Sequence, residues 1–229
     1  MSLEVPLAPE MNLYFFFKQL APQVNELQTE ILEHLVAAGT SRGWFPTLPA
    51  VINRFSENDP EETVRAAIAG LHRLRLLQTN DEGGIQRIIG GITHEKTRFR
   101  AVTQDNVPFH LCGVIDVFTA AGMLQKSLSV QTRCGVSDQK IEIEFDRDGS
   151  IASSIPSSIT AFLPGWDGES HFSETDDGSH FFSDNAQLRS WQDANEVPEG
   201  LPLSEDTILL IGTEMAKALS DLYIQMSVR

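Results

Sequence analysis

The stretch Val107-Pro108-Phe109-His110-Leu111-Cys112-Gly113-Val114-Ile115-Asp116, running on to Leu124, decides how the second half of the chain is read. From Leu111 to Leu124 it contains no proline and reads as a largely buried helix. On either side, Thr97–Val102 and Lys140–Phe145 alternate polar and apolar residues as half-buried strands do, and Asp146-Arg147-Asp148-Gly149 turns the second toward a further strand. Ser157–Leu163 is also strand-like, and Trp191 sits in a polar helical stretch after Phe181-Phe182. The chain closes on an amphipathic helix predicted over Ser204–Met226, with Ile208, Ile211, Met215, Leu219, Leu222 and Met226 down one face.

The first half reads mostly as helix. Val24, Leu27, Ile31, Leu35 and Val36 repeat at three-and-four spacing, and the pattern is expected to stop at Gly39. A short helix fits Leu48–Phe55, with Thr47 as its cap. Next, Asp59 as cap, Pro60 in the first turn and the carboxylates of Glu61 and Glu62 mark a helix start, and Val64, Ala67, Ile68, Leu71 and Leu74 form its apolar stripe. Residues 78–84 are turn chemistry and Ile85–Ile89 returns as a strand, so three helices and a hairpin suggest a winged-helix-like unit. Arg65, His72, Arg73 and Arg75 are the residues that could contact DNA. The competing reading is a helical packing or substrate-covering domain with solvated arginines.

Charge weighs on that choice. The 229 residues carry 17 Lys+Arg against 32 Asp+Glu, a net charge of −15, which repels nucleic acid and anionic membranes alike. The acidity is concentrated late: residues 1–105 hold 10 basic and 13 acidic side chains, residues 106–229 hold 7 and 19. A cation or a small neutral molecule is the better partner. No run approaches the about 18 to 20 apolar residues that span a bilayer, since Lys18 ends Leu13–Phe17, and no secretion signal is present. The expected location is the cytoplasm, where Cys112 and Cys134, the two cysteines, stay reduced.

The sequence lacks a phosphate loop, a dinucleotide fingerprint, a nucleophile elbow and a zinc-protease motif. What remains is soft and acidic. Cys112 and Asp116 are four apart, and if the segment is helical their side chains share one face about 6 Å from each other; a carboxylate there could accept the thiol proton, and a thiolate binds soft metals. The alternative is an inert buried cysteine beside a helix-start carboxylate. His171, Asp176, Asp177 and His180 form a second group, either a borderline-metal site or a solvated loop.

The order of these pieces carries more than their types. Val107–Asp116, the later Ser129-Val130-Gln131-Thr132-Arg133-Cys134 leading to a strand, and Ser179-His180-Phe181-Phe182-Ser183 followed by Trp191 together resemble the organomercurial (alkylmercury) lyases over about residues 93–229. The helical first half also looks like that family's N-terminal domain. The resemblance implies an α+β fold: a winged-helix-like helical domain, 1–92, and a mixed α/β domain of the alkylmercury-lyase type, 93–229. It also implies cleavage of a carbon–mercury bond, with Cys112 as a catalytic cysteine, Asp116 as the proton-relay aspartate and Cys134 as a structural cysteine. The family spaces its cysteine and aspartate three apart, against four here. Its second mercury-binding cysteine falls at Asp176, where a hard oxygen donor replaces a soft sulfur. The expected site is thus Cys112, Asp116 and Asp176, with Cys134 and His180 as secondary candidates. No cofactor is required, and a small organometallic substrate or a bound soft metal ion (mercury, copper or zinc) is expected. The alternatives are a non-catalytic metal-binding protein on the same scaffold and a winged-helix regulator.

Overall fold

Asn25 opens the first described helix, α1 (Glu26–Arg42), by accepting from the Gln28 N–H while the Gln28 side chain accepts from the Asn25 N–H. This exchange satisfies two of the donors a helix start leaves open. The computed structural model describes residues 23–164, 178–195, 200–210 and 213. The helix does not stop at Gly39 as expected. It continues to Gly43, whose φ of 72° is the left-handed closure. Gly39 is there for packing, since a Cβ on it would stand 2.7 Å from the Phe45 ring.

Helix α2 (Leu48–Phe55) has the predicted bounds and is capped by the Thr47 hydroxyl. In α3 (Glu61–Arg73) the cap is Pro60 rather than Asp59: with ψ at 135°, Pro60 is still extended, so the helix starts one residue later. A hairpin follows, β1 (Leu77–Thr79) and β2 (Ile85–Ile88), its turn held by the Asn80 side chain accepting from the N–H groups of Glu82 and Gly84.

The hairpin is the edge of a larger sheet. Strand β2 pairs with β3 (Ile92–Thr93), and β3 with β5 (Pro108–Leu111). With β4 (Phe99–Thr103), β6 (Leu128–Arg133), β7 (Lys140–Phe145) and β8 (Ile151–Ile155), these form an antiparallel sheet in the order β1-β2-β3-β5-β4-β6-β7-β8. The expected division at residues 92 and 93 falls inside β3. Gly90 and Gly91 are part of a 3-10 turn, Ile89–Gly91, through which the sheet continues.

A smaller sheet has the order β10 (His180–Phe182), β9 (Thr160–Pro164), β11 (Gly200–Ser204). Between the two sheets lies helix α4 (Val114–Leu124), whose Phe118 ring is 5.4 Å from Phe145 of β7 and 6.1 Å from Phe181 of β10. Fully burying such side chains contributes on the order of 2–3 kcal/mol each. The helix is buried as predicted but begins three residues after Leu111, because Leu111 is held in the sheet opposite both Phe99 and Ile92. Helix α5 (Asn185–Ala194), capped by Asp184, lays Trp191 against Phe162, ring centroids 4.8 Å apart. Ser204 belongs to β11 and residues 205–210 are helical; the rest of the helix predicted to Met226 lies almost wholly outside the described residues. No described helix is long and apolar enough to cross a membrane.

Candidate functional site

Strand β5 ends at Leu111, whose carbonyl accepts from the Thr97 hydroxyl at 2.6 Å, and only Cys112 and Gly113 separate it from α4. The Cys112 N–H donates to the Gly91 carbonyl at 3.1 Å, and its thiol, in no disulfide, is buried, with 2% of the residue exposed. Asp116 stands in the first turn of α4 and is also 2% exposed. That turn is the positive end of the helix dipole, where a carboxylate is favoured.

Gly91 connects the two. Its φ is 62°, and a Cβ on it would lie 1.9 Å from Asp116 Oδ2, 2.0 Å from Cγ and 2.6 Å from Oδ1. The carboxyl group therefore fills the volume that a side chain at position 91 would need, while the carbonyl of the same residue holds Cys112. Ser179 completes the helix start from far along the chain: its hydroxyl, wholly buried, accepts from the Val114 N–H at 2.8 Å. Neither residue is among those expected at the site. The paired glycines before a strand are a legible signal for a backbone position needing positive φ; nothing local marks Ser179 as a cap for residue 114.

Cys134 directly follows β6 and has different neighbours. Burial alone would push its thiol up, but hydrogen bonds from the Ser137 hydroxyl and from the N–H groups of Ser137, Val136 and Ser183 outweigh that and hold it below the ordinary thiol value. The Ser183 hydroxyl donates to its sulfur at 3.9 Å. His180, at the start of β10, is hydrogen-bonded to the Arg98 guanidinium and lies 5.2 Å from the Trp191 ring. Burial, and then the Arg98 charge, push its imidazole down to about 4, so it is neutral at physiological pH.

Asp176, His171 and Asp177 lie outside the described residues. Among the described residues no three His, Cys, Asp or Glu side chains gather as a metal site, so Cys134 and His180 do not join Cys112 and Asp116 in one. A cleft of about 500 Å³ between α1 and α3, lined by Asn25, Gln28, Asp59, Thr63, Gly70 and Arg73 among others, contains none of the site residues. Of the basic residues that could contact DNA, Arg65 is in an ion pair with Glu61 at 2.7 Å.

Fold and site together define an α+β protein with a buried thiol and a buried carboxylic acid assembled at one helix start. The chain belongs to the alkylmercury lyase family, which matches residues 92–217. Its fold is similar to that of the crystal structure of the mercury-bound form of MerB2, with a TM-score of 0.73 at 18% identity, covering 91% of this chain and 99% of that one. The likeness in fold therefore extends into the helical first half. No curated protein matches the chain.

Proposed function

We propose that this protein cleaves carbon–mercury bonds by thiolate coordination and protonolysis, in a form altered by the loss of the second mercury-binding cysteine. Cys112 gives its proton to Asp116 and binds the mercury of an R–Hg cation through sulfur. The thiolate donates electron density to mercury and weakens its bond to carbon. Asp116 then delivers the proton to the carbon, which keeps the electron pair of the breaking mercury–carbon bond, so R–H departs and Hg(II) stays on sulfur. Mercury is substrate in this scheme, and no resident cofactor is involved. Asp176 stands where the family's other cysteine stands and is the proposed third ligand. An oxygen there holds Hg(II) less firmly than sulfur, so added thiol takes the product more readily.

What supports this reading is the family, together with a buried thiol and a buried acid that both meet Gly91. Non-catalytic metal binding on the same scaffold predicts stoichiometric Hg(II) uptake without hydrocarbon. The test is benzene release from phenylmercury with excess thiol. Wild type is expected to turn over and C112S to be inactive; equal, slow release from both sinks the lyase reading.

A further inference from the structure

We infer that Gly91 is a positioning residue for the thiol–acid pair, its bare Cα serving as the seat of the Asp116 carboxylate and its carbonyl as the anchor of Cys112. This rests on the functional reading above for its meaning, but its geometry stands separately. Residue 91 precedes β3, while Asp116 lies in α4, 25 positions later, and only the fold brings them together. Two requirements coincide at this position. A φ of 62° favours glycine for the backbone, and a Cβ at 1.9 to 2.6 Å from three carboxyl atoms is excluded for the side chain. The second is the informative one, because an ordinary left-handed turn asks only for the first. Gly43 and Gly83 have φ of 72° and 77°, yet a Cβ on Gly43 would meet the Pro108 carbonyl and the Val107 side chain, and one on Gly83 would meet nothing. Among the described glycines of positive φ, only Gly91 has its conflict with an ionisable group.

The same residue accepts from the Cys112 N–H at 3.1 Å. One residue thus fixes the backbone that bears the thiol and the place where the acid rests. Any side chain at 91 must displace the carboxylate, and the distance over which a proton passes from sulfur to oxygen changes with it.

The experiment is a double-mutant cycle in the full-length chain, using G91A, D116A and G91A/D116A, read by urea unfolding. The strain of alanine at positive φ is common to both backgrounds, so any difference reports the contact with the carboxylate. The expected result is that G91A lowers the folding equilibrium constant at least roughly tenfold more in the presence of Asp116 than in the D116A background. Should G91A fail to fold, folding of G91A/D116A is the expected rescue. Equal losses in the two backgrounds, or two variants that both fail to fold, overturn the proposal.

The second readout, for a G91A that folds, is the Cys112 titration, followed by thiolate ultraviolet absorbance as the difference from C112S. G91A is expected to move the wild-type titration in the same direction as D116N. A G91A curve superimposed on the wild type overturns the positioning role. Hydrocarbon release is measured apart from both, so a wild type without turnover defeats the lyase reading while unfolding and titration still decide the role of Gly91.

Discussion

The two cysteines of this chain are both buried and both follow the end of a strand, yet their surroundings differ. Cys112 leads into the first turn of α4, with Asp116 in that turn and Gly91 in contact with both residues. Cys134 leads into a turn whose Ser137 hydroxyl and N–H groups stabilise a thiolate. The carboxylate in that turn, Asp138, is taken by Arg133 at 3.0 Å. Burial says nothing about a thiol's use; the neighbours do. In the proposed reaction the Cys112 thiol loses its proton to Asp116, which returns it to carbon. The Cys134 thiol, among hydrogen-bond donors, can hold charge.

The comparison is broken most directly at the acid. D116N should lower the rate of benzene release by about 10²- to 10⁴-fold, the usual worth of a positioned proton donor, while stoichiometric Hg(II) binding through Cys112 persists. C134A should leave the rate close to that of wild type, because the proposed reaction gives Cys134 no part. Single-turnover hydrocarbon release and mercury retention after desalting check both. A collapse of activity in C134A with D116N unaffected would reverse the roles assigned to the two thiols.

The next effect is in stability on the Cys112 side. Ser179 satisfies the Val114 N–H inside the protein, and S179A leaves that donor buried without its hydroxyl partner. A loss of about 1–2 kcal/mol is expected by urea unfolding, with a matching fall in kcat because the helix start carries Asp116. An unchanged unfolding midpoint would remove Ser179 from the account.

How much of this is legible in the sequence follows from which residues act locally. Helix α2 and its Thr47 cap, and the strand Lys140–Phe145, are readable because capping and alternation are short-range. Gly39 misleads because glycine ends a helix only where φ turns positive; the residue that does so is Gly43, and Gly39 makes room for Phe45. Leu111 misleads because an apolar residue suits a strand and a buried helix equally, and its pairing with Phe99 and Ile92 is what holds it in the sheet. Within the site, Cys112 and Asp116 are visible as four apart, but the shared helical face expected of them does not form, because Cys112 precedes the extended Gly113 cap of α4. Gly91 and Ser179 are 25 and 65 positions from the α4 residues they touch, Asp116 and Val114, and such contacts exist only once the chain has folded.

On the Cys134 side the expected effects are smaller and depend on pH. Its folded-state thiol titrates below the ordinary value, so the folded protein binds fewer protons there than the unfolded chain. That contribution is fully present above the unfolded thiol's titration and is lost as pH falls through the folded one. C134A should therefore lose more stability relative to wild type at about pH 10 than at about pH 7, as measured by urea unfolding at both. A constant difference would mean that the donors around Cys134 do not favour its thiolate.

The smallest effect separates those donors from one another. The Ser137 hydroxyl heads the groups that pull the thiol down, whereas Ser183 reaches the sulfur with its hydroxyl at 3.9 Å and also contributes a backbone N–H. S183A removes only the long hydroxyl contact and keeps the N–H, so its cost should stay below about 0.5 kcal/mol, with little movement of the thiolate absorbance titration. S137A removes the stronger donor and should raise that titration visibly. If S183A moves it more than S137A, the link from β10 rather than the turn after β6 controls this thiol. Cys134 would then be coupled to the same segment that caps α4 through Ser179, and the contrast between the two cysteines would narrow to the presence of Asp116 alone.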